Sequence, residues 1–132
     1  MKGQPTGLRV AGFDGRRAAG QGKFFTRAQL TAASGRPLSN LLKLDAGASI
    51  ALGQHGESLL ASGGPPRSSA ACYAAVVRDG VRFYPFEGAS PPDLDKIFAE
   101  DLTGVEFYAR AALVPGELRD ASACGALVLW SR

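Results

Sequence analysis

The dipeptide Asp79-Gly80 constrains the fold of this chain more than any other local feature. It lies between two apolar runs, residues 73–77 and 81–83. Asp-Gly between apolar runs is the strongest short signal for a β-hairpin, because both central positions of a type I′ turn need positive φ. Gly adopts positive φ freely and Asp tolerates it. We therefore predict a hairpin that turns at Asp79 and Gly80, and a fold that contains a sheet.

Two short helices are predicted ahead of this hairpin. Thr26 and Gln29 have the spacing of a capping box, which indicates that a helix begins directly after Thr26. A second helix is predicted at residues 38–44, where leucines recur at helical spacing. Ser39 is its expected N-cap, and Gly47 is expected to end it.

Further apolar runs predict strands at residues 48–52, 58–61, 105–109 and 127–130, and one helical turn at 93–98. Seventeen Gly and eight Pro separate these segments, so each element is expected to be short. The pattern indicates an α/β (α+β) fold: a small mixed β-sheet of four to six strands with two or three short helices on it.

The first 22 residues differ in composition from the rest of the chain. They are rich in Gly, Arg and Ala, and only residues 8–13 suggest a short strand. We therefore divide the chain into an extended N-terminal arm, residues 1–22, and a single domain, residues 23–132. With 45% apolar and 20% charged residues, the chain has the composition of a globular protein that buries a core.

Charge and hydropathy argue against two classes of function. The net charge of +3 arises from basic residues scattered singly, without the basic stripe and interleaved aromatics of a nucleic-acid-binding protein. No apolar run approaches the roughly 18 residues of a membrane-spanning helix. No apolar segment follows Met1 and Lys2, so no signal peptide is expected in this chain.

The single histidine, His55, is the only residue that could complete a nucleophile–histidine relay. It lies between Gln54 and Gly56 in a glycine-flanked loop, where a solvated side chain is expected. The segment Gly20-Gln21-Gly22-Lys23 lacks the earlier glycine and the following Ser or Thr of a phosphate-binding loop.

Two close carboxylate pairs are the remaining candidates for acid–base chemistry, Asp93 with Asp95 and Glu100 with Asp101. Each pair lies near an expected helix end, where acids cap backbone N–H groups or stabilise the helix dipole. We therefore favour a structural role for both carboxylate pairs over a role in acid–base catalysis. We predict no enzymatic activity, no catalytic residues, no metal site and no cofactor.

Two cysteines, Cys72 and Cys124, each stand at the outer end of a predicted strand. Two cysteines alone cannot complete a zinc site. They are either joined, if the two strands are adjacent in one sheet, or they are two buried thiols. A disulfide between them would stabilise the fold by roughly 4 kcal/mol in the loop-closure model.

Five segments with these signals follow one another in a characteristic order. They are FTRAQL at 25–30, a leucine-rich helix with AGASI at 46–50, VVRDGV at 76–81, LDKI at 94–97 with VEFY at 105–108, and CGALVLWSR at 124–132. The set resembles the plug domain of TonB-dependent outer-membrane receptors. The resemblance covers residues 24–132 and is greatest to a variant with CY before the hairpin and CG before the last strand.

The resemblance implies a non-enzymatic plug-like domain, which in the family gates the barrel lumen and contributes to ligand binding. It implies an outer-membrane barrel or a TonB-type energy-coupling protein as partner, and a small ligand. The location it implies is the periplasm or outer membrane. The alternative is a free-standing cell-envelope module, without a barrel, that binds a protein or a ligand.

The same resemblance also implies roles for individual residues. It favours a disulfide between Cys72 and Cys124, which would require an oxidising compartment. By family analogy, the candidate ligand loop is residues 53–69, with Gln54, His55, Glu57 and Arg67 as its candidate contacts.

Overall fold

The computed structural model describes residues 12–61, 73–84, 90–110, 113–115 and 125–132. Within them the chain forms a five-stranded mixed sheet, a separate two-stranded sheet and three α-helices. This is the α/β (α+β) architecture predicted from the sequence, and the larger sheet is mixed with a number of strands inside the predicted range of four to six.

The elements are short, as the glycine and proline content predicts. The helices are α1 (Phe13–Ala19), α2 (Arg27–Ala32) and α3 (Leu38–Asp45), with 3-10 turns at Leu94–Lys96 and Ala99–Asp101. The strands are β1 (Lys23–Phe25), β2 (Ser49–Leu52), β3 (Ser58–Ala61), β4 (Ala75–Arg78), β5 (Val81–Tyr84), β6 (Leu102–Tyr108) and β7 (Ala126–Ser131).

The larger sheet has the strand order β1-β6-β7-β4-β5. All its neighbouring strands are antiparallel except β4 and β7, which run parallel with Ala75 opposite Ala126. Strands β2 and β3 form the second, antiparallel sheet. The strands that begin soon after Cys72 and Cys124 are therefore neighbours and run in the same direction.

The hairpin turn has the backbone geometry that its dipeptide requires. Asp79 has φ 53° and Gly80 has φ 84°. The carboxylate of Asp79 also accepts a hydrogen bond of 2.8 Å from the backbone N–H of Ser131. The turn between β4 and β5 is thereby fastened to the end of β7.

Helix α2 begins with the predicted capping box. The backbone N–H of Gln29 donates to the Thr26 hydroxyl at 3.3 Å, and the Gln29 amide oxygen accepts from the Thr26 N–H at 2.8 Å. The prediction of Ser39 as the N-cap of α3 is wrong. Pro37 occupies that position with φ −70° and ψ 154°, and Ser39 lies inside the first turn. The ring of Pro37 presets the backbone there, which leaves the Ser39 hydroxyl available to a distant residue.

The main core lies between one face of the large sheet and the helices α2 and α3. Residues on this face alternate along each strand, as the pleat requires. The strand residues that enter this core include Val76, Val105, Phe107, Leu127 and Leu129, and the helices contribute Leu30, Leu38, Leu41 and Leu42. Each of these side chains is nearly or completely buried.

The opposite face of the sheet carries a smaller core, and the sequence did not predict it. Tyr108, Ala126 and Val128 are buried there beside Val114. The Phe24 ring packs edge-on against both Tyr108 and Phe13, with ring centres 5.9 and 5.5 Å apart.

Helix α1 covers this second face, so the expectation of an extended arm is wrong for Phe13–Ala19. Phe13 and Arg16 lie three positions apart on one side of the helix, and both are buried. Seven residues are too few for an isolated helix to be stable in water. Contacts with the sheet therefore stabilise α1, which explains why its local composition did not predict it. Residues 8–11, where a strand was expected, lie outside the described part.

Candidate functional site

A fully buried carboxylate lies at the centre of the second face. We call Arg16, Glu106, Tyr108 and Trp130 the Glu106 cluster. Arg16 donates to Glu106 with Nε at 2.7 Å from Oε1 and with Nη2 at 2.8 Å from Oε2. The Tyr108 hydroxyl lies 2.7 Å from Oε1, and the Trp130 indole nitrogen lies 2.8 Å from Oε2. Each carboxylate oxygen thus accepts two hydrogen bonds.

Two adjacent strands and α1 bring these four residues together. Glu106 and Tyr108 alternate with core residues along β6, so both point toward α1. Trp130 comes from β7, where Val128 lies opposite Glu106. Helix α1 places Arg16 one turn after Phe13. The cluster therefore joins the N-terminal helix to the centre of the sheet.

The ion pair of the cluster is buried, and hydrogen bonds satisfy the buried side-chain polar atoms of the cluster. The side chains of Arg16 and Glu106 are 5% and 0% exposed. Burial, followed by the hydrogen bond to Glu106 and its negative charge, raises the pKa of Tyr108 well above its usual value. A carboxylate can accept about four hydrogen bonds, and Glu106 already does so. This arrangement has no free acceptor for a substrate and fits a structural role.

Glu106 itself is the one signal in the sequence that could have revealed this cluster. It interrupts a run that is otherwise apolar, residues 105–108. Charged residues are almost never fully buried without a partner. In a strand buried on both faces, this glutamate therefore needs a hydrogen-bonding or charged partner from elsewhere, but the strand alone does not identify Arg16.

The described part of the candidate ligand loop forms a tight turn between β2 and β3. The Gly53 N–H donates to the Glu57 carbonyl at 2.8 Å, and the Glu57 carboxylate accepts from the His55 N–H at 2.7 Å. Backbone N–H groups of Glu57 and His55 lower the pKa of the Glu57 carboxyl. The His55 side chain is 86% exposed, and its Nδ1 lies 3.6 Å from the Glu57 carboxylate.

These contacts give Glu57 a structural role in the turn and leave His55 and Gln54 at the surface. None of the three lines the groove that lies beside β1. Arg67, the fourth candidate contact, lies outside the described residues, as do Cys72 and Cys124.

The acid pair Asp93 and Asp95 holds three elements together at the other side of the main core. We call Ser39, Ser58, Asp93 and Asp95 the Asp95 cluster. Asp95 accepts hydrogen bonds from the hydroxyls of Ser39 in α3 and Ser58 in β3. Asp93 accepts from the backbone N–H groups of Ser58 and Asp95, both at 3.0 Å. The hydroxyl of Ser39, and then that of Ser58, lowers the pKa of Asp95.

In the second acid pair, the carboxylate of Glu100 is also engaged with the backbone. Glu100 accepts a hydrogen bond of 2.8 Å from the N–H of Gly35, which lowers the pKa of its carboxyl. Asp101 accepts through its backbone carbonyl from the Arg132 N–H at 3.0 Å. In the described part of the chain, no buried side-chain nitrogen or oxygen lacks a hydrogen-bond partner.

One groove with a volume of about 360 Å³ lies beside β1, and we call it the β1 groove. Strand β1 lines it with Lys23, Phe24 and Phe25. The other wall comes from α2, α3 and the segment between them, and includes Arg36 and Asp45. The groove therefore combines an apolar interior with charged residues, which is typical of binding sites.

The described residues show no arrangement for metal ligation, since no group of three or more of their His, Cys, Asp or Glu side chains could hold a metal ion. In the part of the chain that the structure describes, no helix has the length and apolar character needed to cross a membrane. Comparison with models of known protein families, with curated proteins and with solved structures finds no match to this chain.

Proposed function

We propose that this chain is a non-enzymatic plug-like domain, similar to the plug of TonB-dependent outer-membrane receptors. In that role it would gate a barrel and contribute to ligand binding, with an outer-membrane barrel or a TonB-type energy-coupling protein as its partner. One observation carries the proposal. The described parts of all five motif segments contribute to one assembly of sheet and helices.

The hydrogen bonds made by the candidate polar side chains support the non-enzymatic part of this proposal. Glu106 is saturated by four donors, and the Asp95 cluster consists of bonds between elements. His55 stands exposed on a turn, and Glu57, which lies beside it, is bonded to the turn itself. A general base must lie within hydrogen-bond reach of the proton that it removes from a bound substrate. The carboxylates of Glu106, Asp95 and Glu57 instead accept hydrogen bonds that stabilise the fold.

A free-standing cell-envelope module that binds a protein or a ligand is the alternative function. The β1 groove favours it, because the groove is a concave surface formed by this chain alone. A plug enclosed by a barrel would contact the barrel wall over much of its surface. A free-standing module would instead leave such a groove accessible.

Fractionation of the source cells tests the proposal and separates it from the alternative. An antibody raised against the chain is used on separated cytosol, periplasm, inner membrane and outer membrane. The plug-like function predicts an outer-membrane species much larger than the 13.7 kDa of this chain, because the plug and barrel form one polypeptide. A periplasmic or envelope-bound species near 13.7 kDa supports the free-standing module. A cytosolic protein contradicts both.

A further inference from the structure

Strand β1 stands at one end of the large sheet, with β6 as its partner on one side. Residues along an edge strand alternately direct their backbone N–H and C=O groups toward and away from the neighbouring strand. Among the backbone hydrogen bonds of the described residues, none outside the β1–β6 ladder involves Lys23, Phe24 or Phe25. Within the described residues, the outer edge of β1 therefore offers unpaired backbone groups.

The β1 groove runs along this outer edge. Consecutive side chains of a strand point to opposite faces of the sheet. Phe25 packs in the main core and Phe24 packs with Tyr108 on the other face. Since both phenylalanines line the groove, the groove must pass the edge of the strand between the two faces. Its far wall is formed by α2 and α3.

The groove is lined by both apolar and charged side chains, and among the described residues its uncompensated charge is positive. Phe25 and Leu41 are nearly buried and form part of its floor. Arg36 donates to Asn40 at 2.7 Å and lies 3.3 Å from Asp45, which partly neutralises it. Lys23 is exposed and makes no side-chain hydrogen bond or ion pair with the described residues. Among the described residues, the charge left without a counter-ion along β1 is therefore that of Lys23.

We propose that the β1 groove binds an extended acidic peptide segment of another protein by strand addition. The peptide backbone pairs with the outer edge of β1, one of its apolar side chains enters the floor beside Leu41, and one of its carboxylates contacts Lys23. Main-chain pairing supplies affinity in this binding mode, and the pockets for alternate side chains supply selectivity. The inference goes beyond the proposed function and does not depend on it.

Charge identifies the occupant as an acidic segment and not as a second copy of this chain. A short edge strand that carries lysine discourages pairing with another copy of itself, because the approaching edge carries the same charge. The chain as a whole has a net charge of +3, which also repels a second copy. The same lysine attracts an acidic strand.

Binding is measured by fluorescence anisotropy with the full chain and three labelled, blocked peptides of about six residues, the usual length of a strand. The first alternates Val and Glu, and the second alternates Val and Lys. The third is the Val/Glu peptide with its central amide replaced by an ester, which removes one N–H donor. We expect the first peptide to bind, the second not to bind, and the third to bind more weakly than the first.

Lys23→Glu and Lys43→Glu form a matched pair of variants for the same assay. Both lysines are exposed, but Lys43 lies on α3 and does not line the groove. We expect Lys23→Glu to weaken binding of the Val/Glu peptide about fivefold, the upper value of an exposed ion pair. Lys43→Glu should leave it within about twofold. Thermal melting of both variants checks that each is folded.

Amide chemical shifts of the isotopically labelled full chain locate the peptide. Changes centred on residues 23–25 and on the α2–α3 wall support the proposal. Each of three results overturns it: no saturable binding of the Val/Glu peptide, equal binding of the Val/Lys peptide, or changes centred elsewhere. The proposal also fails if residues 1–11 show contacts with the outer edge of β1, or if the chain dimerises through that edge.

Discussion

The Glu106 cluster and the Asp95 cluster both connect separate elements of the fold, one in the interior and one near the surface. Each is centred on a carboxylate that joins elements distant in sequence. Glu106 is fully buried and is paired with a buried guanidinium, whereas Asp95 is exposed and is paired with neutral hydroxyls.

The difference teaches that the burial of a carboxylate decides how much is lost when one partner is removed. Removing one partner from a buried ion pair leaves an uncompensated charge in a dry interior, which costs several kcal/mol. Removing an exposed acid leaves hydroxyls that water can bind. The buried cluster should therefore be far less tolerant of substitution than the exposed one.

Glu106→Ala is the largest expected effect. It removes the counter-charge of Arg16 and the acceptor that three side chains share, so it should lower the free energy of unfolding by about 3 to 5 kcal/mol. Urea unfolding of this variant and of Asp95→Ala tests the comparison directly. A double-mutant cycle with Arg16→Met provides the control, since Glu106→Ala should cost much less once the cation is absent. Equal losses for Glu106→Ala and Asp95→Ala would contradict the comparison.

Reduction of the predicted Cys72–Cys124 disulfide is the next largest effect. Strands β4 and β7 are parallel neighbours, and the Ala75 N–H donates to the Gly125 carbonyl at 3.0 Å. The bond should stabilise the fold by roughly 4 kcal/mol if the loop-closure model holds. Intact mass after alkylation, with and without reduction, measures whether it exists. Two alkylated cysteines in the unreduced, folded protein would show that this prediction is wrong.

Tyr108→Phe should remove a bond to a charged acceptor and cost about 1.5 to 3 kcal/mol near neutral pH. Because burial raises the pKa of Tyr108 in the folded state, its contribution is complete below the unfolded value of about 10 and declines as pH rises above it. Urea unfolding followed across alkaline pH should show this decline in the parent protein. Tyr108→Phe should show less of it, and an identical decline in the two proteins would argue against a buried phenol.

Asp95→Asn should have a smaller effect, about 1 kcal/mol at neutral pH, because the amide can replace only part of the two hydroxyl bonds. Since those bonds lower the folded pKa, the contribution of the carboxylate is present above the unfolded value of 3.8 and is lost as pH falls through the folded pKa. Acid titration of unfolding free energy should bring parent and variant together at low pH. A difference that persists in strong acid would contradict this origin.

His55→Ala is the smallest expected effect. The side chain is 86% exposed, so the free energy of unfolding should change by less than about 0.5 kcal/mol. Thermal melting measures it, with Glu57→Ala as the comparison, because Glu57 bonds the backbone of the turn. A larger loss for His55→Ala than for Glu57→Ala would show that the turn depends on the imidazole.

The sequence predicted those parts of the fold that are determined by interactions among a few neighbouring residues. The capping box needs only Thr26 and Gln29, and the hairpin needs only the positive φ of Asp79 and Gly80. The cap of α3 was less predictable, because Pro37 took the position and Ser39 instead bonds Asp95. A serine near a helix start is equally consistent with both roles, and only the position of Asp95 decides between them.

The candidate sites were less predictable than the fold, because each is assembled from distant segments. Arg16 and Glu106 are 90 positions apart, and Ser39 and Asp95 are 56 apart. The β1 groove depends on how α2 and α3 lie beside an edge strand. The spacing of residues within any one of these segments does not predict how the helices lie beside the strand.

The sequence by itself determined the alternation of short strands and helices, the hairpin turn and the start of α2, because steric limits on φ and nearby hydrogen bonds act within a single turn of chain. Only the tertiary structure decided that residues 13–19 form a helix, that Glu106 is buried with Arg16, and that β1 stands at the end of the sheet beside a groove. These outcomes depend on the free energy of burying groups that meet only when the sheet has formed.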